Sequence, residues 1–150
     1  MRIYVDTSVF GGVFDEEFSK PSRIFFELVK AGKFRLVTSV VVRKEIEAAP
    51  VEIREFFVKL ARKAEIFEIS MEALRPQNQY IKAGVLSAKW NDDALHVAIA
   101  TVSGCGIIVS WNFKHIVNFK KIPLYNGVNG VNGYPAISIH SPSEVIENEK

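Results

Sequence analysis

Short apolar runs alternate along the whole chain with stretches of helical periodicity, and this alternation constrains the fold more than any other feature. Five runs have strand character: RIYVD (2–6), FRLVTS (34–39), EIFEIS (65–70), IIVSW (107–111) and AISIH (136–140). Strands that are separated by helices pair in parallel, with the helices packed on both faces of the sheet. The sequence therefore predicts a three-layer α/β/α domain with a mainly parallel central sheet.

Apolar residues at helical spacing fill the intervals between these strands. The predicted helices are 21–31, a helix from near Ser39 to just before Pro50, 51–63, a helical stretch at 71–88, the helix after Asn91, a short helix near 114–118 and a capped final turn at 141–147. The helix after Asn91, DDALHVAIATV, is apolar on nearly every side, which predicts a central and buried position. The segment NGVNGVNGY (126–134) is rich in Asn and Gly and is predicted to form turns.

The length and composition indicate a single globular domain, residues 1–150, since 48% of the residues are hydrophobic and 24% are charged. The single cysteine, Cys105, cannot form an internal disulfide, and no Cys/His spacing suits a zinc site. A reducing, cytoplasmic location is therefore expected. The N-terminus has no signal-peptide core, and no apolar run approaches the ~20 residues that a membrane span requires.

Charge is distributed unevenly, although the net charge of +2 does not by itself indicate a nucleic-acid partner. Residues 94–143 contain no Asp or Glu, and Lys114, Lys120 and Lys121 lie close together in that half. Such a region suits contact with a polyanion. A second interpretation is equally open, because a half made mostly of interior helix and strand needs few charged residues.

Two polar residues directly follow predicted strands: Asp6 after RIYV and Asn112 after IIVSW. In parallel sheets, functional sites form in the crevice beyond the carboxyl ends of the strands. The acids available there are chiefly Glu45, Asp92 and Asp93. Buried carboxylates are costly unless they are paired, and several together raise one another's pKa values. A divalent cation that prefers hard oxygen ligands, Mg²⁺ or Mn²⁺, removes that conflict.

Taken singly, these acids also have structural explanations. Asp6 suits a helix N-cap or a turn. Acids in the first turn of a helix are stabilised by the helix dipole, which accounts equally well for Asp92 and Asp93. Adjacent helix positions point about 100° apart, so only one of these two faces the crevice, and periodicity does not say which. The same question arises for Glu45 and Glu47: one of them is expected to face solvent, and the periodicity does not say which.

Four segments of the chain together carry a family resemblance. They are MRIYVDTSVF at the N-terminus, the Glu45–Ile46 pair, DALHVAIAT from Asp93 and IIVSWNFKHI from Ile107. In this order, and on an alternating α/β pattern, they resemble the PIN domain. More narrowly, the chain resembles the VapC-type toxin-like PIN proteins of bacterial toxin–antitoxin systems. The resemblance covers essentially the whole chain and implies a single PIN-like domain.

The resemblance implies metal-dependent cleavage of RNA phosphodiester bonds by four catalytic positions. These positions fall on Asp6, Glu45, Asp93 and Asn112. The family's third acid opens a helix after an interior loop, and this match, rather than periodicity, selects the second member of the Asp pair. Ser110 occupies the hydroxyl place of a Thr/Ser-x-Asp motif that ends at Asn112.

Asn112 departs from the pattern, because many family members have a carboxylate there. Its amide can hydrogen-bond to a water but adds no charge, and it is also a suitable cap for the segment that follows. The expected metal ligands are Asp6, Asp93 and Glu45, which leave a net −1 around one divalent cation. The resemblance therefore implies one tightly held Mg²⁺ or Mn²⁺, with a second ion arriving only with the RNA phosphate.

The expected mechanism is metal-assisted hydrolysis. Asp6 and Asp93 hold the ion that activates a water and polarises the scissile phosphate. Glu45 orients or deprotonates the attacking water. Thr7 or Ser8 is expected to hydrogen-bond to the second oxygen of Asp6, supporting the metal ligand from behind.

Several further side chains are expected around this centre. His96 follows Asp93 by one helical turn and is either a buried, hydrogen-bonded structural residue or a contact to that carboxylate or to the phosphate. The stretch WNFKHIVNFKK (111–121) offers Lys114 and its neighbouring lysines to RNA phosphates. Trp111 or Phe113 could stack on bases, although burial is the commoner fate of such rings.

The resemblance also implies partners. Family members of this kind are usually held inactive by a small antitoxin that covers the acidic crevice, and many form homodimers. The aromatic-rich segments 24–29 and 53–60 could supply a dimer face or could equally be core.

Two other functions are compatible with parts of the sequence. A PIN-like module that has lost catalysis could bind RNA or a protein, and Asn112 leaves room for it. A phosphotransferase of the haloacid-dehalogenase type also places an Asp after its first strand. That chemistry requires a second Asp where this chain has Ser8, so the sequence counts against it.

Overall fold

All strands of the sheet run parallel, as the alternating pattern predicts. The computed structural model describes residues 1–148. Within them the strands are β1 (Arg2–Val5), β2 (Arg35–Ser39), β3 (Glu65–Phe67), β4 (Ile107–Val109) and β5 (Ser138–His140). Their order across the sheet is β3-β2-β1-β4-β5, which puts the N-terminal strand in the middle. In register, Tyr4 lies beside Val37 of β2 and Ile108 of β4.

Helices connect the strands and form two packed groups. They are α1 (Thr7–Gly12), α2 (Ser19–Lys30), α3 (Val40–Glu47), α4 (Val51–Ala61), α5 (Met71–Lys82), α6 (Asn91–Val102), α7 (Ile122–Val131) and α8 (Pro142–Glu147). Helices α1 to α4 contact one another, α8 contacts α2, and α5 contacts both α6 and α7. Right-handed crossovers that run in opposite directions across a sheet lie on opposite faces, so the two groups form the outer layers. No helix within residues 1–148 has the length and hydropathy needed to cross a membrane.

The hydrophobic core lies between the sheet and these two layers. Every residue of α6 from Ala94 to Thr101 is buried, which confirms the central position predicted for this helix. The middle strands β1 and β4 are also buried along nearly their whole length. Because the core encloses the body of both strands and of α6, their polar ends meet at one edge of the sheet.

Several predicted boundaries are shifted in the structure. Helix α5 ends at Lys82, and the predicted continuation towards residue 88 is loop. Asn91 is the first residue of α6 instead of its cap, because a short 3₁₀ helix at Ala88–Trp90 leads directly into α6. Ser39 caps α3 as predicted, since its Oγ accepts a hydrogen bond from the Val42 N–H at 3.4 Å.

The prediction that 126–134 forms turns is wrong, because α7 runs through most of this segment. The side chains of Asn126 and Asn129 have tertiary partners instead of bonding to the local backbone as they would in a turn. Buried Asn129 accepts a 2.6 Å hydrogen bond from Tyr80 Oη, and Asn126 forms two hydrogen bonds with the backbone of Ile137. These contacts offset the low helix propensity of Asn and Gly. The helix ends just before Gly133, which has a φ of 79°.

The short helix predicted near 114–118 is also absent from the described chain, where residues 113–116 form a turn. The Ile116 and Val117 N–H groups both donate to the Asn112 carbonyl, at 3.0 and 2.8 Å. The Asn112 side chain closes the same turn by accepting from the His115 N–H at 2.9 Å. Asn112 therefore acts as a cap, as expected, but the segment that it caps is a turn and not a helix.

Candidate active site

The pairing of β1 with β4 brings two of the predicted site segments together. Val5 is in register with Val109, and the Asp6 N–H donates to the Val109 carbonyl at 3.3 Å. Asp6 and Ser110 are therefore neighbours at the carboxyl edge of the sheet. This is the crevice in which parallel sheets place their functional groups.

The carboxylate of Asp6 is buried, with 3% of the residue exposed. Ser8 Oγ donates to its Oδ1 at 2.6 Å, and Ser110 Oγ donates to its Oδ2 at 2.7 Å. Burial raises the pKa of Asp6, while the charge of His96 and these two hydroxyls act against the rise. Asp6 precedes α1 but makes no side-chain capping bond, so its carboxylate is directed to the hydroxyls.

Backbone groups hold both hydroxyls in place. The Trp111 N–H donates to Ser8 Oγ at 2.8 Å, and the Asn112 N–H donates to Ser110 Oγ at 2.9 Å. Each hydroxyl has only one proton to donate, so accepting from the backbone leaves that proton for Asp6. The segment after β4 thus fixes the orientation of the Asp6 carboxylate.

Helix α3 presents Glu45 to the same edge, while Glu47 is exposed. Glu45 Oε1 accepts from Thr7 Oγ1 at 2.7 Å and lies 2.7 Å from His96 Nε2. Thr7 thus contacts Glu45, and Ser8 is the one of the pair that contacts Asp6. Burial acts to raise the pKa of Glu45, but the hydrogen bonds from His96 and Thr7 and the charge of His96 outweigh it and lower the pKa.

His96 is buried and hydrogen-bonded through both ring nitrogens, which agrees with the structural role considered for it. Its Nδ1 lies 2.9 Å from Tyr4 Oη, and Tyr4 Oη lies 2.8 Å from Ser39 Oγ. Burial lowers the pKa of His96, but the hydrogen bond to Glu45 and the surrounding carboxylates raise it above its ordinary value. This rise shifts the equilibrium of His96 towards the imidazolium form, which donates from both nitrogens.

Asp93, in the first turn of α6, is half-buried, whereas its neighbour Asp92 is exposed. Burial raises the pKa of Asp93, and a hydrogen bond from Asn112 and the charge of His115 act against this rise. The charge of Glu45 raises the pKa of Asp93 further, so these two carboxylates sense each other across the crevice. This burial distinguishes the two adjacent acids, which periodicity alone could not do.

The three carboxylates Asp6, Glu45 and Asp93 offer the oxygen ligands that a hard divalent cation prefers. Within residues 1–148, no three His, Cys, Asp or Glu side chains lie close enough together to enclose a metal ion. Proteins commonly hold Mg²⁺ through one or two carboxylates and several retained waters. The residues therefore fit an ion bound partly through water, and not a closed protein cage.

The basic and aromatic residues beside the crevice differ in their accessibility. Trp111 is buried: its ring stacks on Phe18 at 4.3 Å, and its Nε1 donates to Ser22 Oγ at 2.8 Å. Phe113 is 49% exposed, and Lys114 is exposed.

Sequence reasoning overlooked Trp90, although it directly precedes α6. Lys114 Nζ lies 5.2 Å from the centroid of the Trp90 ring. The only available signal was the position of Trp90 three residues before Asp93.

Comparison with known proteins identifies the fold. No family model matches the sequence, and no curated protein sequence is significantly similar to it. Among solved structures, the chain is similar to one in the crystal structure of VapBC2 from Rickettsia felis bound to a DNA fragment from their promoter. The TM-score is 0.61 at 13% identity, covering 94% of this chain and 98% of that chain. The structure therefore shares its α/β fold with a chain of the VapBC2 complex, in agreement with the fold that the sequence resemblance predicts.

Proposed function

We propose that this protein is a metal-dependent endoribonuclease that hydrolyses RNA phosphodiester bonds and is the toxin of a toxin–antitoxin pair. The observation that carries the proposal is the arrangement around Asp6, a buried carboxylate whose two oxygens each accept a hydrogen bond from a serine hydroxyl. Glu45 and Asp93 lie at the same edge of the sheet and influence each other's ionisation. Burying this much negative charge is costly in the absence of a cation.

In the proposed mechanism, Asp6 and Asp93 hold Mg²⁺ or Mn²⁺, with Glu45 as the third ligand group. A bound divalent cation supplies Lewis-acid activation of the phosphate and of the attacking water. Glu45 orients that water and receives its proton at Oε2, since Oε1 already contacts Thr7 and His96. The imidazolium of His96 keeps Glu45 ionised and fixed for this step.

Two neighbouring groups support this chemistry. Ser8 and Ser110 fix the plane of the Asp6 carboxylate, which determines where its oxygens meet the cation. The Asn112 side chain acts to lower the pKa of Asp93, an effect that needs no carboxylate at position 112. Lys114, exposed beside the crevice, is placed to contact an RNA phosphate.

The proposed partners follow from the fold. The similar solved structure is described as VapBC2 bound to promoter DNA, and by this likeness we assign a small antitoxin to the present chain. A cytoplasmic location and a homodimer are part of the same proposal. Phe25, Phe26 and Phe57 lie in the core, so a dimer face would have to use other residues of the aromatic-rich helices.

A second function, binding without catalysis, is favoured by one observation. Asn112 Oδ1 is engaged by the His115 N–H, so the amide oxygen is committed to the turn and not to a metal or a water. A module with only three acids could bind RNA or a protein without cutting. Activity measurements separate the two functions.

The test is cleavage of a mixed RNA pool by the purified protein with Mg²⁺ or Mn²⁺, alongside EDTA. The Asp93→Asn variant should lose cleavage, and Asp92→Asn should retain it, because the second change removes an exposed acid from the same helical turn. Glu45→Gln and Glu47→Gln form an equivalent pair on α3. Metal-dependent cleavage that survives Asp93→Asn and Asp6→Asn, or no cleavage and no metal binding by the wild type, would overturn the proposal.

A further inference from the structure

Trp90 stands at the entrance to α6, three residues before Asp93, and has no part in the proposed hydrolysis. It ends the short 3₁₀ helix Ala88–Trp90 and is half-buried. One edge of the indole therefore packs on the protein while another part meets solvent. A group bound to the Trp90 ring would therefore lie close to the acidic crevice.

The first contact is with His115. The two ring centroids are 4.3 Å apart, with an interplanar angle of 35°. His115 is 7% exposed, and within residues 1–148 neither of its ring nitrogens has a hydrogen-bond partner. Buried polar atoms without partners are rare in proteins and require an explanation. Because the His115 N–H is bonded to Asn112 Oδ1, this unpartnered ring is anchored directly to the candidate active site.

The second contact is with two ammonium groups. Lys89 Nζ and Lys114 Nζ lie 5.1 and 5.2 Å from the Trp90 ring centroid, within the range of cation–π attraction. Both lysines are exposed, whereas Trp90 itself is half-buried. Trp90 is thus a partly exposed ring with two ammonium groups near it and the imidazole of His115 packed against it.

We propose that Trp90, with His115, Lys89 and Lys114, is a stacking site for one unpaired base of single-stranded RNA, next to the phosphate that is cleaved. The base lies on the part of the indole that solvent reaches, and the buried ring of His115 supports the indole from the protein side. The inference rests on the proposed function for the identity of the ligand. It adds the strandedness of the substrate and the residue that positions it.

Single-stranded RNA fits these contacts better than a duplex does. Bases in a duplex are already stacked on their neighbours, whereas an unpaired base can lie on an aromatic side chain. The two lysines can leave the indole and contact the phosphates on either side of the stacked base, because ammonium groups on exposed, flexible side chains exchange partners readily. The site therefore provides both a ring and the charges that a single strand requires.

Binding is measured in EDTA, so that the result does not depend on cleavage. The probe is a fluorescein-labelled oligouridylate of about eight nucleotides, a length typical of one single-strand binding site. Trp90→Leu should weaken binding about tenfold, since stacking of one base is commonly worth that much. Trp90→Phe should bind within about threefold of wild type because it retains an aromatic face. Phe119→Leu, which alters a ring that is 93% exposed, is the matched control and should bind normally.

A second measurement locates the base without requiring a leucine variant that folds well. Trp111 is buried, so quenching of indole emission by the oligonucleotide should come from Trp90. The quenching should disappear in Trp90→Phe while anisotropy still reports binding. Lys114→Ala should also reduce the slope of log affinity against log salt by about 0.7, the value for one contact to a single strand.

The outcomes separate this inference from the proposed function. Asp6→Asn should abolish cleavage and leave binding in EDTA intact. Trp90-dependent binding by a protein that never cleaves RNA supports the stacking site and overturns only the nuclease. If the wild type cleaves RNA and Trp90→Leu binds the oligonucleotide as tightly as wild type does, only the stacking site is overturned. Three further results would overturn the stacking site. They are that wild type binds no oligonucleotide, that it binds duplex RNA as well as single-stranded RNA, or that quenching persists in Trp90→Phe.

Discussion

His96 Nε2 lies 2.7 Å from Glu45 Oε1, and this contact joins the buried interior of α6 to a half-buried acid of the candidate site. The pKa of His96 is raised and that of Glu45 is lowered, so the contact favours the charged form of both groups. His96 therefore influences the charge and fixes the direction of the carboxylate proposed to receive a proton.

This pair predicts how stability should depend on pH in the metal-free protein. A raised His96 pKa adds stability that is complete below about 6.5 and is lost as pH rises through the folded-state value. A lowered Glu45 pKa adds stability that is present above about 4.5 and is lost as pH falls through the folded-state value. The contributions of His96 and Glu45 to stability are therefore both complete between about pH 4.5 and about pH 6.5.

The His96→Gln variant should therefore show a smaller fall in Tm than wild type when the pH is raised from 6.5 to mildly alkaline values. The measurement is thermal unfolding in EDTA at a series of pH values. His140→Gln is the control, because the His140 side chain pairs with exposed Glu144 at 3.2 Å, while its contact with the site is made by its backbone carbonyl, which accepts from the Ser110 N–H and is retained in the variant. An alkaline decline that is the same in wild type and His96→Gln would contradict the charged pair.

Gly12 and Gly11 provide a matched pair that tests the packing behind the site. A Cβ on Gly12 would lie 2.7 Å from both Ser22 Oγ and Trp111 Nε1, whereas a Cβ on Gly11 meets only Ile53 Cδ1 at 3.9 Å. Gly12→Ala should lower the free energy of unfolding by about 1–3 kcal/mol, the usual cost of overpacking. It should also reduce cleavage, because Trp111 holds Ser8, and Ser8 holds Asp6.

Gly11→Ala should leave stability and cleavage near wild-type values. Urea unfolding together with an RNA-cleavage assay checks both variants. Equal stability of the two variants would show that Trp111 and Ser22 do not crowd Gly12.

Glycines in α7 test whether that segment is helical. Gly130 lies in the helix with open space around the position of a Cβ, so Gly130→Ala should raise the free energy of unfolding by about 0.5–1 kcal/mol. Gly133 has a φ of 79°, so Gly133→Ala should lower it by about 1–2 kcal/mol. Chemical denaturation measures both, and destabilisation by Gly130→Ala would indicate the turn that composition alone suggests.

Asn112→Asp introduces a carboxylate where many PIN domains have one. The turn can survive, since an Asp oxygen can also accept from the His115 N–H. The new charge faces Asp93, so the variant should be less stable than wild type in EDTA and should bind Mn²⁺ several-fold more tightly. Thermal shift during a Mn²⁺ titration measures both effects.

Asn118→Asp is the control for that experiment, because Asn118 Oδ1 likewise accepts from the backbone, at Lys120 and Lys121. It should leave Mn²⁺ affinity unchanged. Unchanged affinity in Asn112→Asp as well would place residue 112 outside the metal site.

The fold could be predicted because strands and helices alternate with clear periodicity, and because Asp6 directly follows a continuous apolar strand. The choice of Asp93 over Asp92 needed the family resemblance, since a helix that is apolar all round carries no information on its orientation. Helix α7 could not be predicted, because Asn129 becomes a good helical residue only when Tyr80 lies opposite it. Trp90 and His115 escaped notice for the same reason: the turn that brings them together depends on the fold around Asn112.

The parallel pairing of β1 with β4 determines when the candidate site can assemble during synthesis on the ribosome. Asp6 is made almost at once, but the hydroxyl of Ser110 that holds it comes from the last third of the chain. The Val109 carbonyl, which accepts from the Asp6 N–H, also reaches the site only when β4 has docked beside β1. A chain that lacks Ser110 therefore contains Asp6 without the hydroxyl that orients it, and the proposed nuclease activity should appear only after β4 has been made and has docked beside β1.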